Sequence, residues 1–384
     1  MSIQTDGIVV TGNLEGGNAD GLRAVGPGHV ACEPREDPIP HEVQVTGPIS
    51  CYVVCAQARN TTAQPRTLTL DVEIPRWLIE ARFDYFLRKT FWTRPQGSLQ
   101  WSPLEPEILD DRSRLRVALQ PGETRVLASV AHYPYSQCCR SLEELATEHP
   151  DIARLREIGR SVEGRPILAL DTGQPGSPRR AVFTGTSQPG EPAAWAVLAM
   201  AAAILKRPGL QHWLKGAEIS FVPQPNPDGI VMGACNANAR GEMVFVGFED
   251  AAEGRPSATE ALALWGHLST SPPAVYVDFH LLPLPNHPLP RPYVFGLDLY
   301  TDPARRAQAR RLADRLIQIS GCPPPPIIPV GDPLWRNLAT YQAAARWNAA
   351  SFLYQYTGPT TSHVLAQQRG QEVMQAALEV CLGS

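Results

Sequence analysis

The stretch RAVFTGTSQPGEPAAW, residues 180–195, decides the architecture of the second half of the chain. It opens with a short apolar run of strand character, RAVFTG. Ser187, Gln188, Pro189 and Gly190 then read as a turn, and Glu191 stands at the mouth of the helix that follows. A strand passing through a short loop into a helix is the unit of an open α/β sheet, and in such sheets the site lies beyond the carboxyl ends of the strands. A carboxylate placed there is where a metal would be held. Gln188, three residues earlier, is a poor metal ligand, so the same stretch asks whether the site is intact, altered or lost.

Working outward, the alternation continues from about residue 141 to the end. RPILALDTG, EISFVPQPN, AVYVDFH, PYVFGL and SFLYQYT are apolar strands, separated by EPAAWAVLAMAAAILK, ATEALALWGHL, ARRAQARRLADRLIQI and HVLAQQRGQEVMQAALEVCL, all with helical period. The run SLEELATEHPDIARLREIG (141–159) reads as one helix, with Ser141 and Glu144 as a capping box. Continuous apolar strands flanked by amphipathic helices predict a mostly parallel mixed sheet buried on both faces. Gln188, Asn226, His280 and Gln355 fall at or just past strand ends, where one cleft can gather them. The arginines of RRAQARRLADR (305–315) read as a solvated helix face.

Residues 1–137 have another texture. EVQVTG, SCYVVCAQA, TLTLDVEI, RLRVALQP and TRVLASVAHY are short alternating or β-rich runs between turns, which predicts an all-β sandwich preceding an α/β domain over 141–384. Asn60-Thr61-Thr62 matches a glycosylation acceptor but reads as turn residues.

At 384 residues, two domains are the natural expectation. A net charge of -4 argues against a nucleic-acid partner and a membrane-surface partner. The longest apolar stretch, residues 193–205, is too short to span a bilayer. MSIQTDGIVV has neither the basic nor the apolar region of a signal peptide, so a cytoplasmic location is expected. The eight cysteines contain no C-x-x-C and read as reduced thiols. Proline, at 38 residues, is about twice its usual share and collects in loops such as GCPPPPIIPVGDP (321–333).

LREIGRSVEGRPILAL (155–170), Pro-Gly-Glu at 189–191, Asn-Pro-Asp-Gly at 226–229 and the strand ending Asp278-Phe279-His280 together resemble the zinc carboxypeptidases of the funnelin type. The β-rich first half ending in VAHYPYS (130–136) resembles their cytosolic branch. The resemblance implies a zinc held by His-x-x-Glu and a later histidine, and a glutamate on a late strand that takes a proton from the metal-bound water. It also implies side chains that grip the substrate's terminal carboxylate.

Each task meets a substitution. Gln188 stands where the family has its first histidine, with Glu191 and His280 matching the other ligands. In AASFLYQYTG (349–358) Gln355 takes the place of the base, and an amide accepts no proton near neutral pH. In NPDGIVMGACNANARGEMVFV (226–246) Asn236, Phe245 and Val246 stand at the arginine, asparagine and second arginine that would bind a carboxylate. Arg240 is the nearby cation that could replace one of them. Glu249 or Asp250 could replace the base, and His287 could add a ligand. Tyr354 and Tyr356 flank Gln355, so only one side of that strand can face the cleft.

Three functions follow. The leading one is a degenerate family member that lacks ordinary carboxypeptidase activity and binds a peptide or peptide-like ligand. The second is an altered metal-dependent hydrolase using Gln188, Glu191 and His280 on a substrate without a free terminal carboxylate. The third is a scaffold that docks a partner through its sandwich.

Overall fold

The computed structural model describes residues 1–38, 52–80, 84–89, 91–282, 290–357 and 362–383. The first half builds two sheets. One, in spatial order, holds Ser2–Thr5, Ile8–Thr11, Cys55–Asn60, Thr124–Ala128, Phe91–Pro95 and Ser102–Leu104. The other holds Ala19–Gly26, His29–Pro34, Arg66–Glu73, Arg112–Leu119 and Glu107–Ile108. Period-two patterning orients them. Leu115, Val117 and Leu119 are buried while Arg116 is exposed, and the paired strand buries Leu68, Leu70 and Val72. Ile8 and Val10 of the first sheet belong to the same buried core as these residues. Of the expected strands, EVQVTG (42–47) lies outside the described residues, as do Ser50 and Cys51. Asn60 is fully buried and binds the carbonyls of Gln64 and Leu119, so its amide is part of the turn.

The second half contains an eight-stranded sheet. Its strands in chain order are β1 (Ala153–Arg160), β2 (Pro166–Gly173), β3 (Arg180–Gly185), β4 (Glu218–Val222), β5 (Val275–Leu282), β6 (Arg291–Phe295), β7 (Ile327–Ile328) and β8 (Ala350–Thr357). Their spatial order is β1-β2-β4-β3-β5-β8-β6-β7. The central pairs β4–β3, β3–β5 and β5–β8 are parallel, while β1–β2, β2–β4 and β8–β6 are antiparallel.

Seven helices concern the site and its cover: α1 (Tyr135–Glu148), α2 (Ala194–Lys206), α3 (Pro227–Met232), α4 (Thr259–Thr270), α5 (Pro303–Ser320), α6 (Ala339–Trp347) and α7 (His363–Leu382). Strand alternation divides the sheet's apolar residues between two layers. Phe183, Phe221 and Phe279 share a core with α2, α5 and α7. Val182, Val222 and Tyr276 share another with α4 and α6, where Trp265 stacks on Trp347 at 4.6 Å.

One expectation fails. Residues 141–159 are not a single helix: α1 starts six residues before Ser141 and stops at Glu148, and Ala153–Arg160 is the edge strand β1. Pro150 bars the residue before it from helical geometry. Ser141 is inside α1, where its hydroxyl meets the Tyr133 hydroxyl at 2.9 Å, so it caps nothing.

The two halves meet at residues 231–237. Gly16 N–H donates to the Val231 carbonyl at 2.9 Å, and Tyr52 N–H to Cys235 Sγ at 3.1 Å. Asp37 of the first half accepts the N–H groups of Cys235, Asn236 and Ala237 at 2.8, 2.6 and 3.1 Å. Such a run of successive amides is an anion cradle, here filled from within the chain.

Candidate functional site

The loop between β3 and α2 is set by a backbone turn at Thr186, whose φ of 56° lies in the left-handed region. Its hydroxyl accepts from Ala194 N–H at 2.8 Å, satisfying a donor at the start of α2. Glu191 N–H closes on the Gln188 carbonyl at 3.0 Å, which turns both side chains toward β5.

β5 and β8 run parallel with His280 opposite Gln355. Alternation sends Phe279 to the other side, where it packs 5.8 Å from Tyr354 and 5.7 Å from Tyr356. Gln355 therefore shares the site face with Asp278 and His280, and the two tyrosines do not.

His280, only 3% exposed, is the centre of the site. Its Nδ1 lies 2.9 Å from Gln188 Oε1 and 3.0 Å from Glu191 Oε2, and its Nε2 lies 3.0 Å from Asp278 Oδ2. Glu191 Oε2 also accepts Leu281 N–H at 2.7 Å, and Asp278 Oδ1 accepts the Thr184 hydroxyl at 2.7 Å. Burial by itself disfavours a charged ring, but the carboxylates of Asp278 and Glu191 outweigh it and raise the His280 pKa to about 10. The ring is then an imidazolium donating from both nitrogens.

Gln188 Nε2 donates to Asn236 Oδ1 at 2.9 Å, so the amide is oriented with its oxygen toward His280. Phe245 lies edge-on to the His280 ring at 6.4 Å. Gln355 Oε1 accepts the Tyr293 hydroxyl at 2.6 Å, and that hydroxyl accepts from Arg291 at 2.7 Å. Two polar atoms here are buried without a partner among the described residues, Glu191 Oε1 and Asn236 Nδ2.

The structure thus gathers Gln188, Glu191, His280, Asn236 and Phe245, with Gln355 beside them on the ladder. Arg240 is elsewhere: its side chain is 60% exposed and lies 3.7 Å from Glu242. Val246 is half-buried in the turn before the helix Phe248–Ala252. Glu249 pairs with Arg336 and Asp250 with Arg255, so neither carboxylate is free to replace the base. His287 lies outside the described residues. Sequence reading passed over Asp278, although its position two before His280 on a strand puts it on the same face. It also passed over Tyr293 and Arg291, whose roles depend on the β6–β8 pairing.

These residues do not fit a catalytic zinc. Such sites use three ligands drawn from histidine, cysteine and carboxylate. Here one is a carboxamide, and His280, the one imidazole among the described residues of the site, has its Nδ1 directed at two hydrogen-bond acceptors. Among the described residues, no trio of His, Cys, Asp or Glu is placed to hold a metal ion.

Residues 138–242 match the zinc carboxypeptidase family. The matched segment runs from α1 to the loop after α3 and includes Gln188, Glu191 and Asn236 of the site. The chain's similarity to curated proteins is partial. Carboxypeptidase Z of Rattus norvegicus is 27% identical over 195 residues, covering 48% of this chain and 28% of that protein, and the Mus musculus protein gives the same figures. The chain spans little more than a quarter of the length of these relatives.

Solved structures extend the likeness in fold across both halves. A metallo-carboxypeptidase from Burkholderia cenocepacia superposes with a TM-score of 0.78 at 16% identity, covering 99% of each chain. One from Pseudomonas aeruginosa, in complex with (2-guanidinoethylmercapto)succinic acid, gives 0.77 at 18% identity, covering 97% of this chain and 99% of that one. Among the described residues, no helix is long and apolar enough to cross a membrane.

Proposed function

We propose that this carboxypeptidase-family protein binds a peptide or peptide-like ligand at the Glu191–His280 site and lacks ordinary carboxypeptidase activity. The observation that carries the reading is the pairing of Gln355 with Tyr293. At the position the resemblance gives to the general base, an amide oxygen accepts a hydroxyl proton at 2.6 Å, and an amide has no affinity for a proton near neutral pH. Loss of a general base typically removes about 10²–10⁴-fold in rate. Asn236, Phe245 and Val246 in place of carboxylate-binding side chains point the same way. Ligand binding is supported by the two unpartnered atoms, Glu191 Oε1 and Asn236 Nδ2. They are an acceptor and a donor, the complement of one peptide group, and buried polar atoms without partners are rare.

A second reading is an altered metal-dependent hydrolase, with Gln188, Glu191 and His280 as ligands and a blocked peptide as substrate. The convergence of Gln188 Oε1 and Glu191 Oε2 within 3.0 Å of His280 Nδ1 favours it. Elemental analysis of natively purified protein, beside His280→Ala, separates the two. The proposal expects no stoichiometric zinc in either and no cleavage of free or blocked peptides. Near one equivalent of zinc, lost in the variant, together with cleavage of a blocked peptide, sinks it.

A further inference from the structure

Away from this site, a cavity of about 360 Å³ opens where the first half meets the start of α1. Its wall includes Arg94, Glu15, Gln57, Gln96, Asn13 and Ser136. Arg94 is unusual there. It stands on the strand Phe91–Pro95 and is only 6% exposed, yet it makes no ion pair among the described residues. Its guanidinium carbon sits 4.9 Å over the Trp101 ring, and Nη1 donates to the Ser98 carbonyl at 2.8 Å. Nε is buried with no partner. A buried, unpaired cation is costly unless something answers its charge.

The neighbours answer it only in part: burial disfavours the charge more than the nearby Glu15 favours it, and no carboxylate pairs with it among the described residues. His132, which packs on the other side of the Trp101 contact at 5.2 Å, is kept neutral, its pKa pushed down to about 3 by burial and by Arg94. Glu15 shares the cavity but is already engaged: its two oxygens accept Ser136 N–H at 2.7 Å and the Ser136 hydroxyl at 2.5 Å, capping the first turn of α1. One guanidinium without an ion pair, sharing the cavity with one occupied carboxylate, suits a single negative charge. A phosphate dianion would bring its second charge against Glu15. The rest of the wall mixes amides and hydroxyls with the apolar Leu14, Val126 and Pro134, and the volume is at the small end of ligand pockets.

We propose that this cavity is a second binding site, distinct from the Glu191–His280 site, for a small monocarboxylate of amino-acid to dipeptide size, with its carboxylate on Arg94. The planar fork of arginine matches a carboxylate, whereas lysine keeps the charge without the fork. The test is calorimetric titration of the whole protein with L-alanine, L-alanyl-L-alanine and inorganic phosphate at millimolar concentration. The expected result is saturable binding of alanine, one-to-one and not displaced by phosphate, with the dipeptide competing for the same site. Arg94→Lys should weaken it at least about tenfold. Gln57→Trp, at a half-exposed wall position, fills the space from outside and should abolish it even if the buried arginine variant fails to fold. Glu191→Ala should leave it unchanged. Absence of binding to the wild type overturns the proposal. So does binding that survives Gln57→Trp or is lost in Glu191→Ala, because the ligand would then occupy the other site.

Discussion

Replacing Asp228 should unfold the protein's framework more than any surface acid would. Asp228 belongs to the Asn226-Pro227-Asp228-Gly229 turn, and its side chain is fully buried. Its carboxylate accepts the Ser161 hydroxyl at 2.5 Å, Glu163 N–H at 2.8 Å and Arg165 Nη1 at 2.7 Å. The turn is thereby tied to the β1–β2 hairpin, GRSVEGRP, some 65 residues earlier in the chain. In Asp228→Ala, the Ser161 hydroxyl and the Glu163 amide lose their acceptor. The buried Ser161 hydroxyl, left unsatisfied, costs about 1–3 kcal/mol, whereas Glu163 is exposed and its amide can turn to water and adds little. Arg165, 28% exposed and also paired with Glu163, can turn to water, so its share is small. Asp228 also lies in the first turn of α3, a short helix that gives little dipole energy to lose. The sum is about 2 kcal/mol.

With an unfolding entropy of roughly 2.1 cal/mol/K per residue over the 384-residue chain, that is a fall in Tm of about 2–3 °C if the chain unfolds as one unit. Scanning calorimetry reads it directly. A double-mutant cycle with Ser161→Ala adds a coupling that should be at least about 1 kcal/mol. An Asp228→Ala protein that melts within 1 °C of wild type, or a cycle with no coupling, refutes the reasoning.

Other expectations are simpler to state. A Cβ on Gly370 of α7 would meet Ala196 Cβ at 2.8 Å and its backbone at 3.0 Å, so Gly370→Ala should lower stability in urea by about 1–3 kcal/mol, and an unchanged midpoint would mean the α2–α7 contact is looser than drawn. His267 is held neutral by burial and by Arg180, with Arg156 beside it and Asp171 opposing, and its pKa is lowered to about 4. The unfolded chain takes up that proton below about pH 6.5 and the folded one does not, so stability is full above 6.5 and falls as pH drops toward 4. Urea midpoints between pH 7 and 4.5 should show this, with a shallower slope in His267→Gln; equal slopes would remove His267 as a cause.

Much of the fold was legible because the central strands carry continuous apolar runs and their helices carry long helical periods. The error at 150–160 has a physical source. Ile152, Leu155 and Ile158 repeat every three residues as on a helix, but β1 is an edge strand with a register shift between Glu157 and Gly159, which breaks the alternation that identifies strands. The site positions were legible as ordered motifs. Their partners were not. Asp278 was visible only once the strand's face was known, and the Tyr293–Gln355 bond depends on a pairing between segments about 60 residues apart. Glycine in the Asn-Pro-Asp-Gly turn also gains its reason from the structure: a Cβ at Gly229 would lie 2.3 Å from the Ala237 carbonyl oxygen.

The meeting of the halves at residues 231–237 bears on how the chain can be divided. Asn236 orients Gln188, and Asp37 holds Asn236 through its backbone amide, so the first half reaches the candidate site through two links. A fragment cut near residue 137 would leave three adjacent amides in that loop exposed without their carboxylate, together with the bare faces of Gly233 and Cys235. Such a fragment would lose the arrangement of Asn236 and Gln188 before it lost its strands. Any truncation used to study this site should therefore retain the first half, or carry a carboxylate in solution to fill the place of Asp37.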